Sequence, residues 1–259
     1  LDLLLLVDGS TSMAEGQAAF TSAFPSLLRG LAAGDADGDG APDFRAPSLV
    51  RLGVVTADMG AGERGPSSCT ERGDDGVLQT SSCGPSSRPF GQLPSRGAAE
   101  PLATELACVA SVGTMGCGYE QPLDAMLKAL SPASAQPGTR TGYQPPLFAG
   151  GAHGHGGDAN AGFSGAGSVL AVVVLTDEDD CSVRDLSVLD PTSLTYADID
   201  LGLRCTEPVD ALHPIARYVE GLLQLRADPR RLVYVVIGGV PLDAAGSDYD
   251  TLLAQPEMQ

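Results

Sequence analysis

Four short, nearly uninterrupted apolar runs lie within residues 2–7, 49–56, 168–176 and 231–238. Continuous runs of this length, closed by turn residues, predict strands buried on both faces. Between them, helices are predicted at about 14–33, 98–112, 121–130 and 210–226. In the first, Phe20, Phe24, Leu27, Leu28 and Leu31 follow the spacing of one buried face. In the third, Leu123, Met126, Leu127 and Leu130 do the same, with Pro122 at the first turn. Strands alternating with helices predict an α/β fold with a mostly parallel sheet.

The runs are spread from residue 3 to residue 237, so residues 1–259 read as a single domain. The extra length falls into three insertions, at about 57–97, 131–167 and 177–208, rich in Gly, Pro, Ser and Asp. Loops longer than about 12–15 residues are usually functional or disordered. The first and third insertions follow strand ends and are expected to rise over the same end of the sheet. Gly150–Gly157, with His153 and His155, reads as a flexible linker rather than a preorganised zinc site.

The chain holds 33 acidic and 15 basic residues, a net charge of −18. Nucleic acid and anionic membrane surfaces are excluded as partners by that field. No stretch reaches the roughly 18–20 apolar residues of a membrane helix, so no membrane insertion is expected. The chain opens inside a strand, with neither Met nor a signal peptide, and only a polar segment follows Val240. It is therefore read as an excised domain, truncated at both ends unless Leu242 to Leu253 supply a last strand and helix.

The run Leu3–Val7 is followed at once by Asp8-Gly9-Ser10-Thr11-Ser12. One carboxylate and two hydroxyls are thereby placed at the carboxyl end of a buried strand, where open α/β sheets bind ligands. Oxygen donors select hard cations such as Mg²⁺, Mn²⁺ or Ca²⁺. Neutral hydroxyls leave much of the ion's charge uncompensated, which invites an anion from outside. A second such strand, Val169–Leu175, ends in Thr176-Asp177. These two elements resemble the metal-ion-dependent adhesion site of von Willebrand factor A (vWA) domains. The resemblance implies a doubly wound sheet and an ion held by Asp8, Ser10, Ser12, a middle-loop threonine and Asp177. It also implies a module that binds a protein ligand and catalyses nothing. Thr114 is the threonine nearest before the third helix, but the intervening segment is longer than expected, which leaves Glu120 as the alternative donor.

A second cation site is expected in Asp35-Ala36-Asp37-Gly38-Asp39-Gly40-Ala41-Pro42-Asp43. This run resembles the calcium loops of EF-hand, dockerin and thrombospondin type 3 repeats. Asp35, Asp37, Asp39 and Asp43 would give side-chain oxygens and Ala41 a carbonyl, although Ala46 stands where a closing Glu is usual. Carboxylates so close repel one another without a cation.

Six cysteines occur without a C-x-x-C pair, which favours structural disulfides and an oxidising compartment. Sequential pairing, Cys69–Cys83, Cys108–Cys117 and Cys181–Cys205, is the simplest expectation. The resemblance extends to cysteine-bearing A-domains of secreted or lipid-anchored bacterial surface proteins, and so implies an extracellular or cell-envelope location. The leading function is cation-dependent adhesion, in which a partner's Asp or Glu completes the shell of Mg²⁺ or Mn²⁺. The alternative is a metal-dependent hydrolase or phosphatase using Asp8 and Asp177. Against it, Ser10 replaces the second aspartate of a D-x-D motif, and no G-x-S-x-G elbow surrounds either serine.

Overall fold

Every residue of β1 (Asp2–Val7) is buried, as a central parallel strand requires. The computed structural model describes residues 1–80, 89–95, 97–134, 144–239 and 246–255. β1 is flanked by β2 (Leu49–Thr56) and β4 (Leu170–Leu175), both parallel to it. β5 (Leu232–Ile237) extends the parallel sheet beyond β4, and β3 (Gly91–Pro94) pairs antiparallel with β2. The order is β3-β2-β1-β4-β5.

Because side chains alternate across a strand, β1 feeds two cores. Leu4 and Leu6 pack with Val172, Val174 and the apolar residues of α3 (Pro122–Leu130) and α4 (Ile215–Gln224). Leu3, Leu5 and Val7 pack on the other face against Phe24 and Leu28 of α1 (Ala14–Ala33) and Leu102 and Leu106 of α2 (Ala99–Ala110). Helices thus cover both faces. α1 stops at Gly34, whose φ of 78° and whose close approach to the Phe44 carbonyl leave no room for a Cβ. α3 begins at Pro122, and its free amides are satisfied from the loop after β4: Leu123 N donates to Asp180 Oδ1 at 3.0 Å and Asp124 N to Ser182 Oγ at 3.1 Å.

Four departures from the sequence expectation stand out. β5, read from its apolar run as a strand buried on both faces, is exposed from Val233 to Ile237, where it ends the strand order. β3 lies inside the segment expected to be loop. Its four residues include Gly and Pro, which an edge strand tolerates and a sequence pattern hides. α4 starts at Ile215, not near 210, because the residue before Pro214 is steered away from helical geometry. The Gly150–Gly157 segment is no linker. His155 N donates to Lys128 O at 2.8 Å, and a Cβ on Gly154 would lie 2.3 Å from the Ser131 carbonyl. Gly154 and Gly156 permit close packing against the Leu130–Ser131 backbone. His155 Nε2 meets Asp75 Oδ2 at 3.2 Å, and Asp75 also pairs with the buried Lys128.

The long segment between β4 and α4 is organised by one arginine. Arg204, only 3% exposed, donates to the carbonyls of Val188, Asp190, Tyr196 and Ile199. Val188 and Leu189 join Cys117, Tyr119 and Cys181 in a third, smaller core. α5 (Tyr249–Leu253) occupies the described part of Leu242–Leu253; residues 240–245 lie outside the described residues. Among the described residues, no helix is long and apolar enough to cross a membrane.

Candidate cation site

β1 and β4 are neighbours, with Val7 opposite Leu175, yet the chain leaves them in opposite directions, toward β2 on one side and β5 on the other. Their carboxyl ends therefore open a crevice at the point where the strand order reverses. Asp8 and Asp177 emerge there. Asp8 is fully buried, its amide bonded to Leu175 O at 3.0 Å. Its Oδ1 accepts from Ser10 N and its Oδ2 from Thr176 Oγ1, both at 2.7 Å. Both oxygens are thus oriented before any ligand arrives. Ser10 Oγ lies 3.0 Å from Ser12 Oγ, and Ser12 Oγ donates to the exposed Asp177 Oδ1 at 3.0 Å. Asp8, Ser10, Ser12 and Asp177, drawn from chain positions up to 169 residues apart, form one continuous chain of contacts.

The two candidates from the middle loop are placed differently. Thr114 comes to the Asp8–Ser12 loop, the candidate metal loop, through its backbone, its carbonyl accepting from Thr11 Oγ1 at 3.3 Å. Glu120 lies near enough for the charges of Asp8 and Asp177 to act on its carboxyl group. That side chain is 5% exposed, and its Oε1 has no hydrogen-bond partner. Burial above all, reinforced by the charges of Asp8, Glu178 and Asp177, pushes its pKa up to about 7. Glu178 is raised for the same reasons, burial first and then Asp177 and Asp8. A buried carboxylate oxygen without a donor is costly, and a cation in the crevice would supply the missing partner. The donor set of carboxylates and hydroxyls fits a hard divalent ion.

Disulfides pin the surrounding loops. Cys181 is joined to Cys205, as expected. Cys69 is joined to Cys117, which overturns both Cys69–Cys83 and Cys108–Cys117. The cause is topological: Cys69 follows β2 and Cys117 belongs to the middle loop, and both loops rise at the same end of the sheet, where Cys117 N reaches Asp58 Oδ2 at 3.4 Å. Cys108 is also disulfide-bonded. Cys83 lies outside the described residues. Cys181 N donates to the main-chain carbonyl of Glu120 at 2.8 Å, so one bridge is tied to the backbone that carries the candidate carboxylate.

The acidic loop sits at the other end of α1. One carboxylate oxygen each from Asp35, Asp37 and Asp39 can be chosen within 4.8 Å of one another; among the described residues Asp8, Glu120, Asp177 and Glu178 form no such group. Asp35 accepts from Gly38 N and Gly40 N, Asp39 from Ala41 N, and Asp43 from Ala36 N. Asp43 therefore closes the loop through the backbone.

Thr176 and Gln17 are not singled out by sequence, whereas Glu178 belongs to the acidic run Asp177-Glu178-Asp179-Asp180, in which Asp177 alone reads as facing the ion. Thr176 stands directly before Asp177 and was open to notice. Gln17 carries no local signal, because a polar residue on a helix reads as solvent-facing. No protein-family model matches the chain, and no curated protein matches it.

Proposed function

We propose that the protein is a divalent-cation-dependent protein-binding module of the vWA type, working outside the cell or in the cell envelope. The observation that carries this reading is the chain of contacts joining Asp8, Ser10, Ser12 and Asp177 at the ends of β1 and β4, with the buried Glu120 Oε1 unpartnered and its carboxyl under the influence of the Asp8 and Asp177 charges. Ser10, Ser12, Asp177 and Glu120 would hold Mg²⁺ or Mn²⁺, and Asp8 would orient the loop and add charge. Thr114 yields its place as side-chain donor to Glu120. When bound, the ion supplies a Lewis-acidic position for a carboxylate of the partner. Helices on both faces of a sheet ordered β3-β2-β1-β4-β5 support the doubly wound arrangement, and structural disulfides support the oxidising location. The burial of Asp8, with both oxygens already bonded, speaks against its use as a hydrolase nucleophile.

The loop Asp35–Asp43 is proposed as a separate Ca²⁺ site that stabilises the end of α1. An α-helix of about 20 residues is about 30 Å long, so the two ions share no ligand. Asp37→Ala with Asp39→Ala is expected to abolish most of the Ca²⁺-dependent rise in melting temperature while leaving Mn²⁺ affinity at the crevice unchanged, both read by calorimetry. An undiminished Ca²⁺ response in that variant would return the loop to an ordinary solvated turn.

A further inference from the structure

Two successive carbonyls of the metal loop are held by groups outside it. The Asp8 carbonyl accepts from Gln17 Nε2 at 2.8 Å, and the Gly9 carbonyl accepts from Gly116 N at 3.0 Å. Gln17 Nε2 also donates to the Gly113 carbonyl at 2.8 Å. An amide nitrogen carries two hydrogens, and both are committed here, on a side chain only 5% exposed in the first turns of α1. We propose that Gln17 is a positioning residue of the cation site, clamping the metal loop to the middle loop that brings Glu120.

The mechanism follows from where its two acceptors sit. The Asp8 carbonyl belongs to the peptide that joins Asp8 to Gly9, so its orientation sets the turn from which Ser10 and Ser12 project. The Gly113 carbonyl opens the middle loop. Gly113 itself holds a φ of 87°, and the next residues dock on the metal loop through Thr11 Oγ1 to the Thr114 carbonyl and Gly116 N to the Gly9 carbonyl. Farther along, the Cys69–Cys117 bridge and the bond from Cys181 N to the Glu120 carbonyl fix the loop's other end. Without Gln17 the near end loses a side chain that bonds both loops at once. The buried Asp8 carbonyl and the more exposed Gly113 carbonyl would then seek other donors, and the Ser10–Ser12 edge and the middle loop would no longer keep their spacing. Partners that orient ligand-bearing groups typically change metal affinity by about 10–100-fold when removed.

This inference rests on the cation-site reading. Wild-type Mn²⁺ binding tests that reading, and Gln17 variants test the clamp. Gln17→Met keeps the shape and removes the donor. At a temperature where near-ultraviolet circular dichroism shows it folded, its Mn²⁺ affinity at the crevice is expected to fall about tenfold or more, with Ca²⁺ response at Asp35–Asp43 unchanged and faster amide exchange confined to residues 112–118. Gln17→Asn, which keeps an amide donor too short for both carbonyls, is expected to fall between wild type and Gln17→Met, and it serves if the Met variant does not fold. Unchanged Mn²⁺ affinity in a folded variant would reduce Gln17 to a structural residue and overturn the proposal. Absence of Mn²⁺ binding in the wild type would instead defeat the site itself.

Discussion

Asp177→Ala is expected to weaken Mg²⁺ or Mn²⁺ binding by about 100-fold, or about 2.7 kcal/mol, while leaving the metal-free protein as stable as the wild type. The separation of the two effects is the useful feature. Asp177 is exposed, and its recorded bond is the one from Ser12 Oγ, so its loss leaves no buried group unpaired. Exposed substitutions of this kind usually stay within about 0.5 kcal/mol. Asp8→Ala would confuse the two effects, because the half-buried Ser10 amide and Thr176 hydroxyl would lose their acceptor. Calorimetric titration against thermal melts decides the case. Equal affinity in Asp177→Ala and wild type would remove Asp177 from the site.

Arg204→Met is expected to have the largest effect on stability outside the sheet. It abandons four carbonyls that now share one guanidinium, at a cost of about 3–5 kcal/mol for a buried, multiply bonded charge. The damage should stay local. Cys181–Cys205 keeps the ends of the segment together, and the parallel sheet packs elsewhere. Hydrogen exchange should therefore accelerate by at least about 100-fold across residues 186–204, while β1 and β4 keep their protection. Unaltered exchange in that segment would show that the small core around Val188 and Leu189 holds it without the arginine.

What could be read from the chain depended on whether a residue's role is local. The runs Leu3–Val7 and Leu170–Leu175 announce buried strands because both of their faces must be apolar, and the placement of Asp8 and Asp177 follows from where those strands end. The helix phase of α1 was plain for Phe24 and Leu28, with Phe20 and Leu31 half-buried beside them, but Leu27, read onto the same buried face, is exposed. By contrast, β3 exists only because β2 offers it an edge, and nothing in Gly-Gln-Leu-Pro says so. The Cys69–Cys117 bridge joins loops that are distant in sequence but neighbours at one end of the sheet, so spacing along the chain misleads. Gln17 and Arg204 look like surface residues until the carbonyls they serve are in place.

The choice between Thr114 and Glu120 shows the same limit in the site. Sequence supplies both oxygen types shortly before α3, and only the fold shows that Thr114 meets the Asp8–Ser12 loop through its carbonyl while the Glu120 carboxyl group is buried under the influence of the Asp8 and Asp177 charges. The proposed shell is thereby richer in negative charge than one closed by a threonine. Glu120→Gln should accordingly weaken Mn²⁺ binding less than Asp177→Ala, since the amide oxygen remains a donor while the charge is lost.

The central claim is that a divalent ion sits between the ends of β1 and β4, and the most direct measurement is a crystal structure with Mn²⁺, using anomalous scattering to locate the ion. The account predicts a peak within about 2.5 Å of the Ser10 and Ser12 hydroxyls, with Glu120 Oε1 turned to the ion or to a water bound on it, and an open position facing solvent. A crevice without an anomalous peak at saturating Mn²⁺, with Glu120 still unpartnered, would contradict it.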